Sequence, residues 1–347
     1  MATTTCMMTS FLFKPKANRP QEIIRSMHNC LATLESCDEK DLKSAEKAQE
    51  ELMKLLLEMK AALLSDANEE PSYEVMVDIT YGMLNDRFLH SFIRCLPLMS
   101  LEARMEATHV LCKLQWNQID GRHIVVEYME ENTDLIDLLV SGFENKDSAL
   151  FCGRILRECF HHTALASYAL QSTSIMSRFF SYIDLPNFDV AADALLTLKE
   201  LMTRHKTLVA LYLSKNFAWF FHHFGQLLSS SRYITKRQAI QFLGDLLLDP
   251  AYAGIMMAYV NTASNLRVIM NLLKEPSKSI QVEAFHIFKA FVANERKSEE
   301  VKRILVSNKD KLLEFLVDFN TDNDNPNFAE DKDEVLNEIR KWKPLTN

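Results

Sequence analysis

The sequence predicts an all-α fold, an armadillo/HEAT-like right-handed α-solenoid of about six to seven helical repeats. Three observations support this prediction. Only 7 of the 347 residues are glycine and 9 are proline, apolar residues recur at helical spacing, and one helical pattern returns about every 45 residues. An all-β fold needs a turn residue about every 8–12 positions, so the scarcity of glycine and proline argues against it.

The repeat consists of five segments in which a small residue is followed by two large apolar residues. The small residues lie 45, 42, 45 and 45 positions apart and are Ala107, Cys152, Ala194, Ala239 and Ala284. The large residues follow at +4 (Leu111, Leu156, Leu198, Leu243, Phe288) and at +7 (Leu114, Cys159, Leu201, Leu246, Phe291). Positions 0, +4 and +7 share one helical face, so each segment predicts a helix with a buried stripe. We call these five helices the column helices. Their small residues allow neighbouring helices to stack closely, which an irregular bundle would not require at a constant period.

The remaining elements follow from helix signals along the chain. The first helix is predicted to begin at Pro20, because proline suits the first position of a helix. A second helix is capped by Asp38 or Asp41, and a shorter helix pair at 75–98 is broken by Pro97. Each column helix is followed by a further apolar helical segment, at 125–139, 165–180, 208–221, 255–269 and 301–315.

The predicted domain organisation is simple. Residues 1–19 are expected to form a disordered tail, with an organellar transit peptide as the minor alternative. Residues 20–347 are expected to form a single α-solenoid domain. Within it, residues 320–334 are predicted to be an acidic loop and residues 335–342 a C-terminal helix that caps the array.

Composition and motifs argue against several classes of function. No two glycines lie closer than ten positions, so G-x-G-x-x-G, the Walker loop and the G-x-S-x-G elbow are all missing. The net charge of −8 argues against nucleic acid as a partner, and no uncharged apolar stretch reaches transmembrane length. The seven cysteines contain no C-x-x-C pair, which predicts reduced thiols in the cytosol or nucleus; of the two we expect a cytoplasmic protein.

No group of residues in the sequence predicts catalysis, a metal site or a cofactor. Residues 318–329 place Asp or Asn at alternate positions, as a calcium loop does, but Asn323 and Ala329 stand where glycine and a bidentate glutamate are required. The pairs His161/His162 and His222/His223 are adjacent in sequence, and neighbours on a helix point about 100° apart. Cys159 belongs to the column and is therefore predicted to be a packing residue. The sequence thus predicts a protein that is not an enzyme; an enzyme of unknown type is the alternative from another class.

The exposed face of the column helices is expected to line a concave groove. Importin-type armadillo proteins carry Trp at +2 and Asn at +6 there to hold a basic peptide. In this chain position +2 is occupied by His109, Arg154, Leu196, Gln241 and His286, and position +6 by Lys113, Glu158, Glu200, Asp245 and Ala290. This mixed-charge surface suits a folded protein partner better than a basic peptide.

Several of these helices resemble the calcium-binding-protein-39-like (Mo-twenty-five, Hym-type) family of kinase scaffolds, most closely its plant-type members. The resemblance is carried by LPNFDVAADALLTLKELMTRHK (185–206), YITKRQAIQFLGDLLLD (233–249), NLRVIMNLL (265–273) and IQVEAFHIFKAFVAN (280–294). It implies a non-catalytic, monomeric scaffold that binds and allosterically activates Ste20/germinal-centre-type kinases or pseudokinases. A generic armadillo adaptor for another protein partner is the alternative reading.

The resemblance also implies binding residues. The kinase domain would contact the concave face at Phe188, Tyr233 and Arg237, next to Gln241 at position +2. A hydrophobic tail of the partner would occupy a pocket that includes Arg267 and Met270. The likeness to the family is interrupted at residues 250–253, and Ser307 and Asn308 stand where basic residues are expected.

Overall fold

The computed structural model describes residues 19–37, 41–63, 72–319 and 326–343. Across these ranges the chain forms α-helices and short 3₁₀ turns, and its only β-type pairing is an isolated bridge between Ile119 and Arg122. The predicted all-α fold is therefore confirmed. The expected tail lies outside the described residues except for Arg19, the first residue of the first helix. The chain divides into two compact units, Met1–Leu165 and Ala166–Asn347.

Unit 1 contains eight helices in its described part. They are α1 (Arg19–Ser36), α2 (Leu42–Leu63), α3 (Tyr73–Leu84), α4 (Phe88–Arg94), α5 (Leu101–Trp116), α6 (Ile124–Glu131), α7 (Asp134–Ser141) and α8 (Ala149–Cys159). Helix α1 packs on α2, α2 on α5, and α5 on α8. The break in the predicted helix pair lies at Asn85–Arg87 rather than at Pro97, because Asp86 and Arg87 adopt left-handed φ values of 50° and 54°.

Unit 2 begins inside helix α9 and continues to the last described helix. Its helices are α9 (Thr163–Gln171), α10 (Thr173–Ile183), α11 (Phe188–Arg204), α12 (Lys206–Leu228), α13 (Tyr233–Leu248), α14 (Ala253–Val260), α15 (Ala263–Leu272), α16 (Lys278–Ala293), α17 (Glu299–Ser307), α18 (Lys309–Val317) and α19 (Pro326–Lys341). Helix α13 packs on α16, and α16 packs on α19.

Both units repeat one pattern, in which two short helices precede a long one. The long members include the five predicted column helices α5, α8, α11, α13 and α16. Helix α12 replaces the two short helices by one of 23 residues, but Asn216 inside it departs from helical geometry (φ −115°, ψ 20°). The break at Asn216 lies where the other repeats change helix, so the chain consists of armadillo/HEAT-type helical repeats.

The predicted column is buried as expected. All fifteen residues at positions 0, +4 and +7 are at most 3% exposed. Helices α5 and α8 pack on each other, as do α13 and α16, and their small residues Ala107, Cys152, Ala239 and Ala284 are buried. A small side chain at this point lets two helices approach closely and fills the contact at the density of a protein interior.

The last helix is longer than the sequence pattern predicts. Residues 326–334, predicted to be part of an acidic loop, are helical, so the helix begins at Pro326 instead of residue 335. Proline at the first position favours this start. Phe328, which is 3% exposed, packs against the rings of Phe285 (5.0 Å between centroids) and Phe319 (6.2 Å). Residues 320–325 lie outside the described residues.

Arg104 joins α5 to the turns that precede α5 and α8. Its guanidinium is buried and donates hydrogen bonds to the carbonyl oxygens of Leu96 (2.8 Å), Met99 (2.7 Å) and Asp147 (2.5 Å). Three carbonyls that face one buried cation lose their partner together if the cation is removed, which is costly.

Enlarging a column residue should destabilise the chain. We expect Ala239→Leu to lower the free energy of unfolding by about 1–3 kcal/mol, because the added methylenes must fit between α13 and α16. The same change at the exposed Ala258 of α14 should have little effect. Urea unfolding followed by circular dichroism measures the difference, and equal midpoints for the two variants would contradict the role of the column.

Removing the buried guanidinium should also destabilise the chain. We expect Arg104→Met to cost about 3 kcal/mol, since three carbonyls lose a charged donor. The matched control is Arg94→Met, because Arg94 has 60% of its side chain exposed and lies 3.8 Å from Glu35. Thermal unfolding should show a clear drop for the first variant alone; similar melting temperatures for both would contradict this assignment.

Candidate functional site

Two exposed aromatic residues mark the beginnings of consecutive column helices in unit 2. Phe188, the first residue of α11, is 54% exposed, and Tyr233, the first residue of α13, is 50% exposed. The Asn187 side chain accepts a hydrogen bond from the backbone N–H of Val190 (3.2 Å) and so caps α11. The Tyr233 hydroxyl accepts a hydrogen bond from Ser277 Oγ at 3.4 Å. The cap fixes the start of α11, and the hydrogen bond restrains the Tyr233 side chain.

Arg237 and Gln241 continue the stripe that Tyr233 begins. The three residues are spaced four apart on α13 and therefore lie along one face of the helix. Arg237 is exposed, whereas Gln241 is half-buried and donates a hydrogen bond to Glu283 on α16 at 3.4 Å. The structure thus brings three of the predicted binding residues, Tyr233, Arg237 and Gln241, onto one surface.

A small groove lies between α11 and α13 beside this stripe. Its volume is about 180 Å³, and its lining residues are Ala192, Leu195, Leu196, Lys199, Gln238, Gln241 and Phe242. Leu196 is 51% exposed and lies two turns after Phe188 on α11. Aromatic, aliphatic and cationic side chains therefore share the exposed surface of α11 and α13, a composition found at the centres of protein interfaces.

Several of the carboxylates at position +6 pair within the scaffold. Asp245 on α13 accepts a hydrogen bond from Lys199 on α11 (2.6 Å), and in unit 1 Glu158 on α8 accepts one from Trp116 on α5 (2.8 Å). Glu200 pairs with Arg204 in its own helix. These carboxylates link neighbouring column helices or brace one helix, so they offer a partner less charge than the sequence pattern suggests.

The histidine of the last repeat differs from the other side chains at position +2. His286 on α16 is half-buried, and its ring packs edge-on against Phe328 at 6.4 Å. Burial, together with the nearby Lys289 ammonium, lowers the pKa of His286 below its usual value. The ring is therefore neutral at neutral pH, and His286 contributes an uncharged surface.

The two residues of the predicted tail pocket lie on α15. Arg267 is exposed, and its guanidinium donates a hydrogen bond to the Glu300 carboxylate of α17 at 3.0 Å. Met270 is half-buried, and it lies three residues further along α15. A carboxylate from a partner would have to share or displace Glu300 at Arg267.

The cysteines fit a packing role. Cys159 is fully buried, and burial raises the pKa of its thiol far above the ordinary value. Burial likewise raises the pKa of Cys112 to about 11 and that of Cys95 to about 12. A nucleophilic cysteine needs a lowered pKa and access to solvent, so these three thiols do not have the properties of catalytic residues.

The described part of the chain offers neither a metal site nor a membrane span. Among the described residues, no three His, Cys, Asp or Glu side chains gather in an arrangement that could hold a metal ion. None of the described helices combines the length and apolar character needed to cross a membrane.

Exposed apolar residues on unit 1 were not predicted as site residues. On α5, Leu101, Met105 and Trp116 are 57%, 46% and 47% exposed, and on α8, Leu150 is 43% exposed. The Trp116 ring packs against that of His161 at 5.1 Å. Extending positions +2 and +6 from Ala107 by two helical turns towards the N-terminus and by one towards the C-terminus would have placed Leu101, Met105 and Trp116 near the exposed face.

Comparison with known proteins places this repeat architecture in a family. A family model described as Mo25-like matches residues 11–343. Two MO25-like proteins of Arabidopsis thaliana are 44% and 41% identical, over 96% and 94% of this chain and 98% and 95% of their own length. Human calcium-binding protein 39-like is 37% identical over 96% of this chain and 97% of that protein. Among solved structures, an archaeal HEAT-like repeats protein from Thermococcus onnurineus is 16% identical, covers 84% of this chain and 97% of its own, and gives a TM-score of 0.46.

The family match and the sequence resemblance agree. The family model covers most of the chain, and the plant and human relatives align with almost all of it at 44% and 37% identity. These findings show that the protein belongs to the Mo25-like family.

Proposed function

We propose that this protein is a non-catalytic cytoplasmic scaffold that binds and activates a Ste20/germinal-centre-type kinase or pseudokinase. The kinase domain would contact the exposed face of α11 and α13, and a hydrophobic tail of the partner would bind beside Arg267 and Met270. The observation that carries this proposal is the exposure of Phe188, Tyr233 and Arg237 on consecutive column helices. Membership of the Mo25-like family supports a scaffold role.

The chemistry of this surface suits the burial of a partner. Tyr and Arg are the residue types most often found as energetic hot spots, and Phe is also enriched at interfaces. Phe188 and Tyr233 are each about half exposed, so a partner that covers them gains apolar burial. Because the start of α11 is capped and the Tyr233 hydroxyl is hydrogen-bonded, binding costs less conformational freedom than it would on an unrestrained surface.

A scaffold of this kind controls an enzyme without chemistry of its own. If it binds the active conformer of a kinase more tightly than the inactive one, it shifts the population towards the active conformer by the difference in binding energy. A preference of about 100-fold is worth about 2.7 kcal/mol and converts a kinase that is about 1% active into one that is about half active. The rigid column helices fix the spacing of Phe188 and Tyr233. A surface with fixed spacing can bind the active conformer of the kinase more tightly than the inactive one.

The contact face is tested by removing its cation. We expect Arg237→Ala to weaken binding to a purified Ste20-type kinase by at least tenfold and to reduce its activation in parallel, because Arg237 lies at the centre of the exposed stripe. The matched control is Arg296→Ala, since Arg296 is also exposed but lies in the segment after α16. Titration by calorimetry with a parallel kinase assay measures both quantities. Equal affinity and activation for wild type and Arg237→Ala, with unchanged circular dichroism, would contradict the site.

The tail pocket is tested by pairing a scaffold variant with a shortened partner. We expect Arg267→Ala to weaken binding of the full-length kinase about five- to tenfold, because a carboxylate in the tail loses its charged donor. The same variant should bind a kinase without its C-terminal tail as tightly as wild type does. A similar loss of affinity for both forms of the kinase would mean that Arg267 acts outside a tail pocket.

A further inference from the structure

A second groove in unit 2 lies on the other edge of α15 from Arg267. It runs between the C-terminal half of α12 and the helices α14 and α15, and its volume is about 590 Å³. Its lining residues are Phe217, Ala218, Phe221, His222, Phe224, Gly225, Gln226, Leu228, Ser229, Tyr259, Thr262, Ser264, Asn265 and Val268. This volume falls in the range of sites that bind small molecules or a few side chains of a peptide.

The floor of this α12–α15 groove is aromatic and rigid. The rings of Phe217 and Phe221 lie 4.7 Å apart, and those of Phe221 and Tyr259 lie 4.9 Å apart. Phe221, Phe224 and Tyr259 are 5%, 1% and 2% exposed, so the protein core holds them in place. The half-buried Phe217 ring, which packs on this preformed floor, is the aromatic surface open to a ligand.

The walls of the groove supply hydrogen bonds but no carboxylate, ammonium or guanidinium. None of the fourteen lining residues is Asp, Glu, Lys or Arg, and the polar members include Gln226, Ser229, Thr262 and Ser264. A charged side chain would lose its hydration here without gaining an ionic partner. Peptide N–H and C=O groups, by contrast, would find donors and acceptors along the rim.

We propose that the α12–α15 groove binds an uncharged aromatic side chain on a peptide segment of the kinase partner next to the partner's tail. This inference rests on the proposed function and adds a second pocket to the tail site. The two pockets share one helix: Asn265 and Val268 line the groove, while Arg267 and Met270 belong to the predicted tail pocket. Residues 267 and 268 point about 100° apart on α15, and six extended residues span about 20 Å, so one short peptide that crosses α15 can reach both pockets.

Gly225 provides a way to close the groove without disturbing the scaffold. A Cβ atom built at Gly225 has no other atom within 4 Å, and the residue lines the groove. Leucine is a better helix former than glycine, so Gly225→Leu should fold at least as well as wild type. Gly254 on α14 is exposed, has the same open space and does not line the groove. Gly254→Leu is therefore a matched control.

The first test uses fluorescently labelled synthetic octapeptide pools on the full-length chain. Each pool has one fixed residue, either Phe, Glu or Lys, and random small neutral residues elsewhere, and binding is read by fluorescence anisotropy. We expect wild type and Gly254→Leu to bind the Phe pool at least fivefold more tightly than the other pools, and Gly225→Leu to lose this preference. Equal binding of all pools by wild type, or an unchanged preference in Gly225→Leu, would overturn the proposal.

The second test separates the groove from the proposed function. We expect Gly225→Leu to bind the purified full-length Ste20-type kinase at least tenfold more weakly than Gly254→Leu does. If wild type and Gly225→Leu bind the kinase equally, the groove assignment fails while the proposed function stands. If wild type binds no such kinase, the proposed function fails and so does this choice of partner. If sedimentation shows that Gly225→Leu converts a dimer to a monomer, the groove binds a second copy of this chain and the proposal is wrong.

Discussion

Close packing of the small column residues is the constraint on which the rest of the structure depends. Ala107 and Cys152 in unit 1, and Ala239 and Ala284 in unit 2, belong to column helices that pack on one another, and each is at most 2% exposed. With no long side chain at these points, the helices approach closely and bury the larger side chains at +4 and +7. Their opposite faces are then presented to solvent at a fixed spacing, and this spacing is what a binding surface requires.

Polar contacts between repeats also help to fix the spacing of the long helices. Lys199 bonds to Asp245 and Lys289 pairs with Asp331, so each pair joins one long helix to the next in unit 2. Ion pairs near the surface contribute little to stability, about 0–1 kcal/mol each. These pairs instead set the register between neighbouring helices, because an ammonium that must meet a carboxylate restricts how one helix can slide along the next. The same restriction fixes the relative positions of the aromatic and cationic residues near the helix starts.

The column and the all-α fold could be predicted because a 45-residue phase is visible in the sequence without a structure. The first nine residues of the last helix could not, since residues 330–334, four of them acidic, read as a solvated loop, and the contact of Phe328 with Phe285 and Phe319 is not visible in the sequence. Glu158 and Asp245 at position +6 looked available for a partner, because their intramolecular donors lie 42 and 46 residues away. The α12–α15 groove could not be predicted either. A helical pattern assigns Phe217, Phe221 and Tyr259 to a core, but it cannot show that space remains between two helices.

Phe188, Tyr233 and Arg237 lie on consecutive column helices, and this placement is a physical reason to expect the partner binding that the family resemblance implies. Two aromatic side chains and a cation on a preformed surface can recognise one folded conformer and reject another.

The central claim is that the exposed face of α11 and α13 is the surface that holds the kinase. Hydroxyl-radical footprinting of the full-length chain, with and without a saturating Ste20-type kinase, tests this claim most directly. Phe188 and Tyr233 are 54% and 50% exposed, and the reference side chains Tyr73 and Leu211 are 51% and 53% exposed. We expect the kinase to suppress labelling of Phe188 and Tyr233 while Tyr73 and Leu211 are labelled as before. Unchanged labelling of Phe188 and Tyr233 in a complex shown to form would contradict the account.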